Sequence, residues 1–527
     1  MEEERSATPS PELAQLLEAS SEFASFPGLQ NDASVKEFLD RYPLQVLLGA
    51  LHSEIYVAGL EDSVVSCLDK IFRTKYGASF IPNLMSFLQA GLQATSETIK
   101  WLACRAVCHL VDMADDKGAA LQIIIDHNIY PLLLNCLIDG NERTSAASLD
   151  AIKSIVQPPQ GIAVIFPASA EDPIQLRNLA ARSSSLARIR ILALITKLYP
   201  VSDQVAKAIH DWNLLSLFET EINNGKDPLT SLSAMELLYE LVESSNDATL
   251  PLRPTLLQLL INIISNSSVD SIFRSRAALL GGRLLRSADA YTAIDQSVVA
   301  MLLSAISGKL VELESQNNDE VEAALESLGL IGATNPGANL MLTSSQDAAK
   351  LVVEASFDRH HRGKQQAALL ALGSICGADR SEDKIILSEK AEGCLKHLIY
   401  TAAANSSKLT PSGLLLSVLK QEPEVRLASY RVIAVLVTRQ WCLAEVCSRQ
   451  EIISILTDQH IETTKHGMEA RHDCCVAINR ALSASSLLHD ATAAGFAGKL
   501  QEAVRRGPYL AKKHVEAQPV VGTMERF

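Results

Sequence analysis

The chain has 527 residues, of which 47% are hydrophobic and only 5% aromatic, and its formal net charge is −14. This composition favours helix–helix packing over β-sandwiches, which depend on β-branched and aromatic residues. The acidic balance argues against nucleic acid as the main partner, because neutralising phosphates requires a basic face. The opening Met1-Glu-Glu-Glu-Arg5 has no signal-peptide pattern, and apolar stretches such as Val298 to Ile306 fall short of the ~20 residues of a membrane helix. We therefore expect a soluble protein that has no membrane partner and is located in the cytoplasm, or in both the cytoplasm and the nucleus.

One kind of helix recurs along the chain. It has a small residue followed, five and eight positions later, by aliphatic residues on the same side, as in Ala147, Ile152 and Ile155. The clear copies begin at Ala147, Ser233, Ala323, Ala367 and Ala428, and weaker copies begin at Gly59, Ala103, Arg190, Ala277 and Cys474. In chain order, their successive intervals are 44, 44, 43, 43, 44, 46, 44, 61 and 46 residues. Such a period is typical of armadillo and HEAT repeats, which run about 40–47 residues.

A second apolar segment lies between these helices, for example from Ile209 to Phe218. Each unit is therefore at least a pair of antiparallel helices, with the small residue allowing close approach of its neighbours. The sequence predicts an all-α fold, an armadillo/HEAT-type α-solenoid of about ten repeats that forms a curved superhelix. Asp227-Pro228 and Thr410-Pro411 are expected to be an N-cap followed by a first-turn proline.

The domain boundaries follow from where this period holds. Residues 1–12 and 516–527 are polar, contain Pro or Gly and lack periodicity, so they are predicted to be disordered. Residues 13–515 are predicted to be a single solenoid. The long interval after Ala367 predicts an insertion around 400–421, with a loop near Asn405 and an extra short helix from Leu414 to Gln421.

No catalytic motif is recognisable. Gly329 to Gly337 contains neither a dinucleotide fingerprint nor a P-loop, and a helix end with a glycine stop accounts for it. Cys104, Cys108 and His109 share one helix, but their aliphatic neighbours favour core packing over a metal site. Ten cysteines within largely apolar patterns are expected to be reduced and buried. We therefore predict no catalytic, cofactor or metal site, and no enzyme.

Carboxylates mark the candidate binding face. Glu236, Glu240 and Glu243 recur three and four residues apart, opposite the buried side of their helix. Asp150 and Glu326 occupy the position of Glu236 in their own repeats. Because this helix type faces the groove of armadillo proteins, the five carboxylates are a candidate surface for a basic partner. An ordinary solvated helix face remains the alternative.

The C-terminal part resembles a known family. The run from Glu422-Pro-Glu to Val437, followed by Gln440-Trp441 and then Arg506-Gly-Pro-Tyr-Leu510, is similar to the last third of the 26S proteasome non-ATPase regulatory subunit 5 family. The resemblance is clear over about residues 420–515. Before that, it rests on repeat register.

The resemblance implies an assembly chaperone of the base of the proteasome regulatory particle. Such a protein holds the C-terminal domain of an ATPase subunit, with a further base subunit as another candidate partner, and leaves before the particle is complete. It has no cofactor and is expected to be a monomer when free. An armadillo adaptor of the nuclear-import type, or a scaffold of an unrelated complex, is the alternative. The nuclear-import hypothesis is weakened because such adaptors have a repeated array of Trp and Asn. This chain has only Trp101, Trp212 and Trp441, which do not form such an array.

Overall fold

The computed structural model describes residues 11–52, 57–167, 176–224, 227–244, 253–312, 318–485 and 491–509, and every regular element in these ranges is a helix. The helices pack into two compact units, Met1–Pro251 and Leu252–Phe527, and the single solenoid expected for residues 13–515 stays a prediction. Each unit is a stack of helical repeats, which establishes the armadillo-type α-solenoid fold class.

The first unit contains sixteen α-helices in its described ranges: α1 Pro11–Ser25, α2 Asp32–Arg41, α3 Leu44–Leu51, α4 Leu60–Phe72, α5 Lys75–Ala78, α6 Met85–Leu92, α7 Glu97–Met113, α8 Lys117–Asp126, α9 Ile129–Asp139, α10 Glu142–Val156, α11 Ile162–Ile165, α12 Leu176–Arg182, α13 Ser185–Leu198, α14 Asp203–Asp211, α15 Ser216–Ile222 and α16 Pro228–Ser244. Short 3-10 helices occupy Ile81–Leu84, Pro159–Gly161 and Tyr199–Val201. Within all described ranges, no single helix has the length and apolar character to cross a membrane, although α8 and α9 meet those criteria as a pair bent by 77°.

The second unit continues with fifteen α-helices: α17 Pro254–Ser265, α18 Ser271–Leu284, α19 Ala290–Ala293, α20 Gln296–Glu312, α21 Asn318–Gly332, α22 Asn335–Thr343, α23 Gln346–Phe357, α24 Arg362–Cys376, α25 Glu389–Ala404, α26 Pro411–Leu419, α27 Pro423–Leu436, α28 Gln440–Cys447, α29 Gln450–Thr457, α30 Lys465–Ser483 and α31 Ala491–Arg506. A 3-10 helix at Glu382–Lys384 precedes α25.

A repeat consists of a short first helix, a second helix and a long third helix, as α22, α23 and α24 illustrate. The recurring helix of the sequence is the third one. Third helices are α4, α7, α10, α13 and α16 in the first unit, and α18, α21, α24, α27 and α30 in the second. Within each unit, every third helix packs against the next. The exposed sides of these helices are called the third-helix surface below.

The aliphatic positions of the predicted pattern form the core. Ile152 and Ile155 of α10 are fully buried, and so are Leu328 and Ile331 of α21. The small residue is less uniform. Ser233 of α16 is exposed, and its neighbour Ala234 takes the buried place. Gly59 lies outside the helix as the N-cap of α4, with a left-handed φ of 79°.

The cap signals read from the sequence are confirmed. The Thr410 hydroxyl accepts a hydrogen bond from the Gly413 amide at the start of α26, and Pro411 occupies the first turn. The Asp227 carboxylate accepts a hydrogen bond from the Thr230 amide at 3.2 Å. Both side chains satisfy amide donors that an α-helix leaves unpaired at its N-terminus.

The inserted residues lie earlier than predicted. The helix predicted as an extra element around 400–421 is α26, the second helix of an ordinary repeat, because it occupies the place that α23 has in the preceding one. The added length is in the segment between α24 and α25, residues 377–388, and in α25 itself, which has 16 residues where α22 has 9. The break in the repeat period placed the extra residues between α24 and α27. The apolar run of α26, which the sequence predicted to be an added helix, belongs to the ordinary repeat.

The predicted disordered termini lie almost wholly outside the described residues; only Pro11 and Glu12 are described, as the start of α1. The Gly-Pro-Tyr segment that follows α31 is part of the last repeat. The buried Arg471 of α30 donates hydrogen bonds to the Leu456 carbonyl at 2.7 Å and to the Pro508 carbonyl at 3.4 Å. The Tyr509 hydroxyl donates to the Glu469 carboxylate. This segment is therefore anchored on α30, and Arg471 also connects α30 to the end of α29.

Candidate partner-binding surface on the third helices

The five carboxylates predicted from the sequence all lie on third helices. Asp150 is on α10, and Glu236, Glu240 and Glu243 are on α16, in the first unit. Glu326 is on α21, in the second unit. Asp150, Glu243 and Glu326 are exposed, whereas Glu236 and Glu240 are half-buried. The structure places these carboxylates on one class of helix but in two separate units.

The carboxylates on α16 interact with groups of the chain itself. Lys197 of α13 forms an ion pair with Glu240, with an Nζ–Oε1 distance of 2.5 Å. Glu236 and Glu243 also have interaction partners. The Lys197–Glu240 pair is about half exposed on both sides, so it contributes about 1 kcal/mol or less and can be exchanged at low cost. The α16 carboxylates therefore stay candidates for a basic partner.

The second unit has a cleft on its third-helix surface, between α21 and α24. Its volume is about 460 Å³. Small and aliphatic residues form much of its lining: Gly329, Leu330, Ala333, Ala367, Leu370 and Ala371. Polar and charged residues complete the lining: Arg286, Glu322, Glu326, Ser374, Asp379 and Arg431. We call it the α21–α24 cleft.

Small residues explain why this cleft forms. A Cβ atom on Gly329 would lie 3.0 Å from the Cα atom of Ala371, and one on Gly332 would lie 2.4 Å from Cγ1 of Ile375. The two helices thus approach more closely than larger residues would permit. Ala367 and Ala371 line the cleft and leave space that larger side chains would fill, so a concavity remains.

A second cleft of about 380 Å³ lies between α18 and α21. Asp319, Glu322 and Glu326 line it together with Arg276 and the exposed Ile272. Glu322 and Glu326 are one helical turn apart and line both clefts. The two carboxylates therefore form the ridge that separates them.

Glu322 lies against the beginning of α24. A Cβ atom built on Gly363 would be only 1.9 Å from Oε1 of Glu322, so this carboxylate lies directly against the Gly363 backbone. The first turn of a helix presents unpaired amide groups and the positive end of the helix dipole, which favours a negative charge there. Glu326, one turn along, is exposed to solvent.

The opposite side of the α21–α24 cleft is closed by an ion pair. Arg431 of α27 contacts Asp379 with an Nη2–Oδ1 distance of 2.5 Å and donates a hydrogen bond from Nη1 to the Leu370 carbonyl at 3.0 Å. Burial by itself would raise the pKa of Asp379. The Ser374 hydroxyl and the Arg431 guanidinium outweigh that effect and hold the pKa of Asp379 below its ordinary value. Asp379 is therefore ionised at neutral pH, and its charge is matched within the chain.

The sequence pattern indicated Glu326 as a candidate contact but gave no sign of the other residues that line this cleft. The spacing of Glu322 and Glu326 was visible as an i, i+4 pair on one helix. Asp379 lies in the segment after α24, and nothing in the sequence indicates that it meets Arg431, 52 residues later.

The thiol and histidine cluster on α7 is part of the core. Cys104, Cys108 and His109 are buried, and His109 contacts Asp69 of α4 with an Nε2–Oδ1 distance of 3.3 Å. Burial raises the pKa of the Cys108 thiol to about 11, so it is protonated at neutral pH. Among the residues that the structure describes, no three His, Cys, Asp or Glu side chains converge as a metal-binding group.

Trp101 on α7 has its ring face covered. The guanidinium carbon of Arg143, on α10, lies 3.7 Å from the centre of the Trp101 ring. This cation–π contact places a residue of the chain where a basic side chain of a bound peptide would stack.

Several solved structures of helical-repeat proteins resemble this chain at low sequence identity. The crystal structure of Kap121p bound to Pho4p has a TM-score of 0.48 and 13% identity, covering 95% of this chain and 55% of that one. An engineered protein has a TM-score of 0.41 and 15% identity, covering 81% and 99%. A designed armadillo repeat protein in complex with the peptide (KR)4 has a TM-score of 0.34 and 12% identity, covering 50% and 99%.

At the sequence level, no curated protein matches the chain significantly. A profile of the family described as proteasome non-ATPase 26S subunit matches residues 61–525. The match begins at the second residue of α4 and includes every third helix after it. Because it spans most of the chain, the protein belongs to the proteasome non-ATPase 26S subunit family.

Proposed function

We propose that the protein is a non-catalytic assembly chaperone of the base of the proteasome regulatory particle. It holds the C-terminal domain of an ATPase subunit and leaves before the mature particle forms. The family match over residues 61–525 is the observation that carries this proposal. The C-terminal resemblance to the subunit 5 family, from Glu422 to Leu510, supplies the chaperone role.

The third-helix surface supports the proposal physically. Its clefts have small, aliphatic linings with charged residues at their edges, which is the arrangement of many protein interfaces. Exposed ion pairs such as Lys197–Glu240 contribute ~1 kcal/mol or less each. A surface that binds through contacts of this strength can release its partner, as a chaperone must.

Affinity purification of the tagged protein from cell extract, followed by identification of what co-purifies, tests the proposal. We expect one or two proteasome ATPase subunits, or one of them with another base subunit, and little mature core particle. The isolated C-terminal domain of the captured ATPase should bind the purified protein, and the remainder of that ATPase should not. Recovery of intact active proteasome, or of nuclear-import cargo in place of ATPase subunits, would contradict the chaperone role.

We propose that the free protein is a monomer, present in the cytoplasm or in both the cytoplasm and the nucleus. Sedimentation of the purified protein should give the mass of one 57.0 kDa chain, and addition of the ATPase C-terminal domain should shift it to a one-to-one complex. A stable homodimer that persists in the presence of that domain would contradict this part of the proposal.

A further inference from the structure

Leu370 is an exposed aliphatic residue within the α21–α24 cleft. Leu370 is 41% exposed, although it lies on a third helix whose other leucine and isoleucine residues are buried. Leu330, Ala333 and Ala367 line the cleft beside it. Covering such a patch with an apolar side chain of a partner gains about 25 cal/mol for each Å² of apolar surface removed from water. The cleft volume, about 460 Å³, lies within the ~300–1,000 Å³ typical of sites that hold small ligands.

The charged residues around Leu370 differ in whether they form an ion pair within the chain. Arg431 and Asp379 neutralise each other at one edge of the cleft. At the other edge, Glu322 and Glu326 form no ion pair or hydrogen bond with another residue in the described part of the chain. Arg286 also lines the cleft, but no ion pair among the described residues neutralises these two carboxylates, which lie one turn apart on α21.

We propose that the α21–α24 cleft binds a segment of a partner protein in which an aliphatic side chain is adjacent to a lysine or arginine. The aliphatic side chain packs on Leu370, and the basic one reaches the Glu322 and Glu326 carboxylates. An acidic edge repels nucleic acid and anionic lipid, so the charge complementarity selects a basic protein segment. This inference deepens the proposed function, on which it rests for the identity of the partner as an ATPase subunit.

Binding of a short synthetic peptide in which leucine and lysine alternate tests the chemistry of the cleft. Its fluorescence anisotropy is titrated with the full-length protein, and a peptide with glutamate in place of lysine is the comparison. We expect the lysine peptide to bind and the glutamate peptide to bind at least tenfold more weakly. Leu370→Asp should weaken the lysine peptide about tenfold or more. Glu322→Gln with Glu326→Gln should weaken it several-fold and reduce the salt dependence of binding.

Two controls keep these outcomes interpretable. Leu29, between α1 and α2, is 80% exposed, so Leu29→Asp makes the same chemical change away from the third helices and should leave the affinity unchanged. Circular dichroism should show unaltered helicity for every variant, because the substituted side chains are not in the core. Equal affinity of the two peptides would overturn the proposal. So would unchanged affinity of both cleft variants.

The same variants separate this inference from the chaperone role. If the wild-type protein captures an ATPase subunit and both cleft variants capture it equally well, the cleft proposal is wrong and the chaperone proposal stands. If the wild-type protein captures no ATPase subunit while the peptides behave as expected, the chaperone proposal is wrong and the cleft remains a site for basic–aliphatic segments.

Discussion

Arg274 of α18 and Glu320 of α21 form a two-point ion pair between consecutive third helices. Nε lies 2.7 Å from Oε1, and Nη2 lies 2.8 Å from Oε2. The side chains are only 11% and 3% exposed. Arg274 also donates from Nη1 to the Val269 carbonyl, just before its own helix. The guanidinium of Arg274 therefore links two consecutive repeats through a buried ion pair.

The same geometry occurs in two other repeats. Arg188 and Arg426 are also the fourth residue of their third helix, and each donates from Nη1 to the carbonyl five residues earlier. Each also donates from Nε to a buried glutamate farther along the chain, Glu221 or Glu462. Recurrence of one arrangement in both units indicates a structural role.

Replacing Glu320 by Ala should destabilise the second unit by about 3–5 kcal/mol, because Arg274 would be left buried without its counter-ion. Hydrogen exchange of the α18 and α21 amides, together with urea unfolding, measures this loss. Arg274→Met combined with Glu320→Leu should recover most of it. Glu240→Ala, which removes an exposed pair, should cost about 1 kcal/mol or less. Equal losses of unfolding free energy for Glu320→Ala and Glu240→Ala would show that burial does not determine how much an ion pair contributes to stability.

Close helix approach predicts opposite effects for two glycine substitutions. A Cβ on Gly282 would lie 2.8 Å from the backbone oxygen of Ser327, so Gly282→Ala should force α18 and α21 apart and cost about 1–3 kcal/mol. Gly308, within α20, has no atom within 4 Å of such a Cβ. Gly308→Ala should therefore stabilise by about 0.5–1 kcal/mol through higher helix propensity. Thermal unfolding of the two variants checks the signs, and loss of stability in both would contradict this account.

Asp69 predicts a pH dependence of stability. Burial of its carboxylate would raise its pKa, but the His109 hydrogen bond and the Arg73 and Arg105 charges together lower it below the ordinary value. A carboxylate with a depressed pKa in the folded state stabilises the protein above its unfolded pKa of about 3.9. That stabilisation is lost as the pH falls through the folded-state pKa.

Asp69→Asn keeps the shape of the side chain and removes its charge. The difference in unfolding temperature between wild type and this variant should be largest near neutral pH, should begin to fall below about pH 4, and should vanish once the pH is below the folded-state pKa of Asp69. Unfolding followed by circular dichroism across that range measures it. A difference that stays constant with pH would show that the Asp69 charge is not responsible.

The α16 carboxylates predict an effect on partner binding. Glu236→Lys with Glu240→Lys should weaken capture of the ATPase subunit several-fold while leaving helicity intact, because both carboxylates lie on the third-helix surface. Lys197→Ala, which frees Glu240 without changing it, should preserve or strengthen capture. Titration of each variant with the ATPase subunit measures the affinity. If the double lysine variant binds as tightly as the wild type, the α16 carboxylates are not contacts of the partner.

The sequence alone determined the class of the fold. Helix limits depend on local features, such as the Thr410 cap with Pro411 and the 3.6-residue recurrence of core positions. These features involve neighbours within a few residues. Because the repeat multiplies the same local pattern, the third helices could be identified one by one, with Ile152 and Ile155 buried as expected.

Only the tertiary structure decided which polar groups meet. The Arg431–Asp379 and Arg274–Glu320 pairs join residues 52 and 46 positions apart, and their contacts depend on how closely one third helix approaches the next. That distance is set by side-chain volumes such as those at Gly329 and Ala371, which pack together only in three dimensions. The periodic pattern thus specified the helices, while packing between repeats determined which carboxylates are paired and which, like Glu326, line an open cleft.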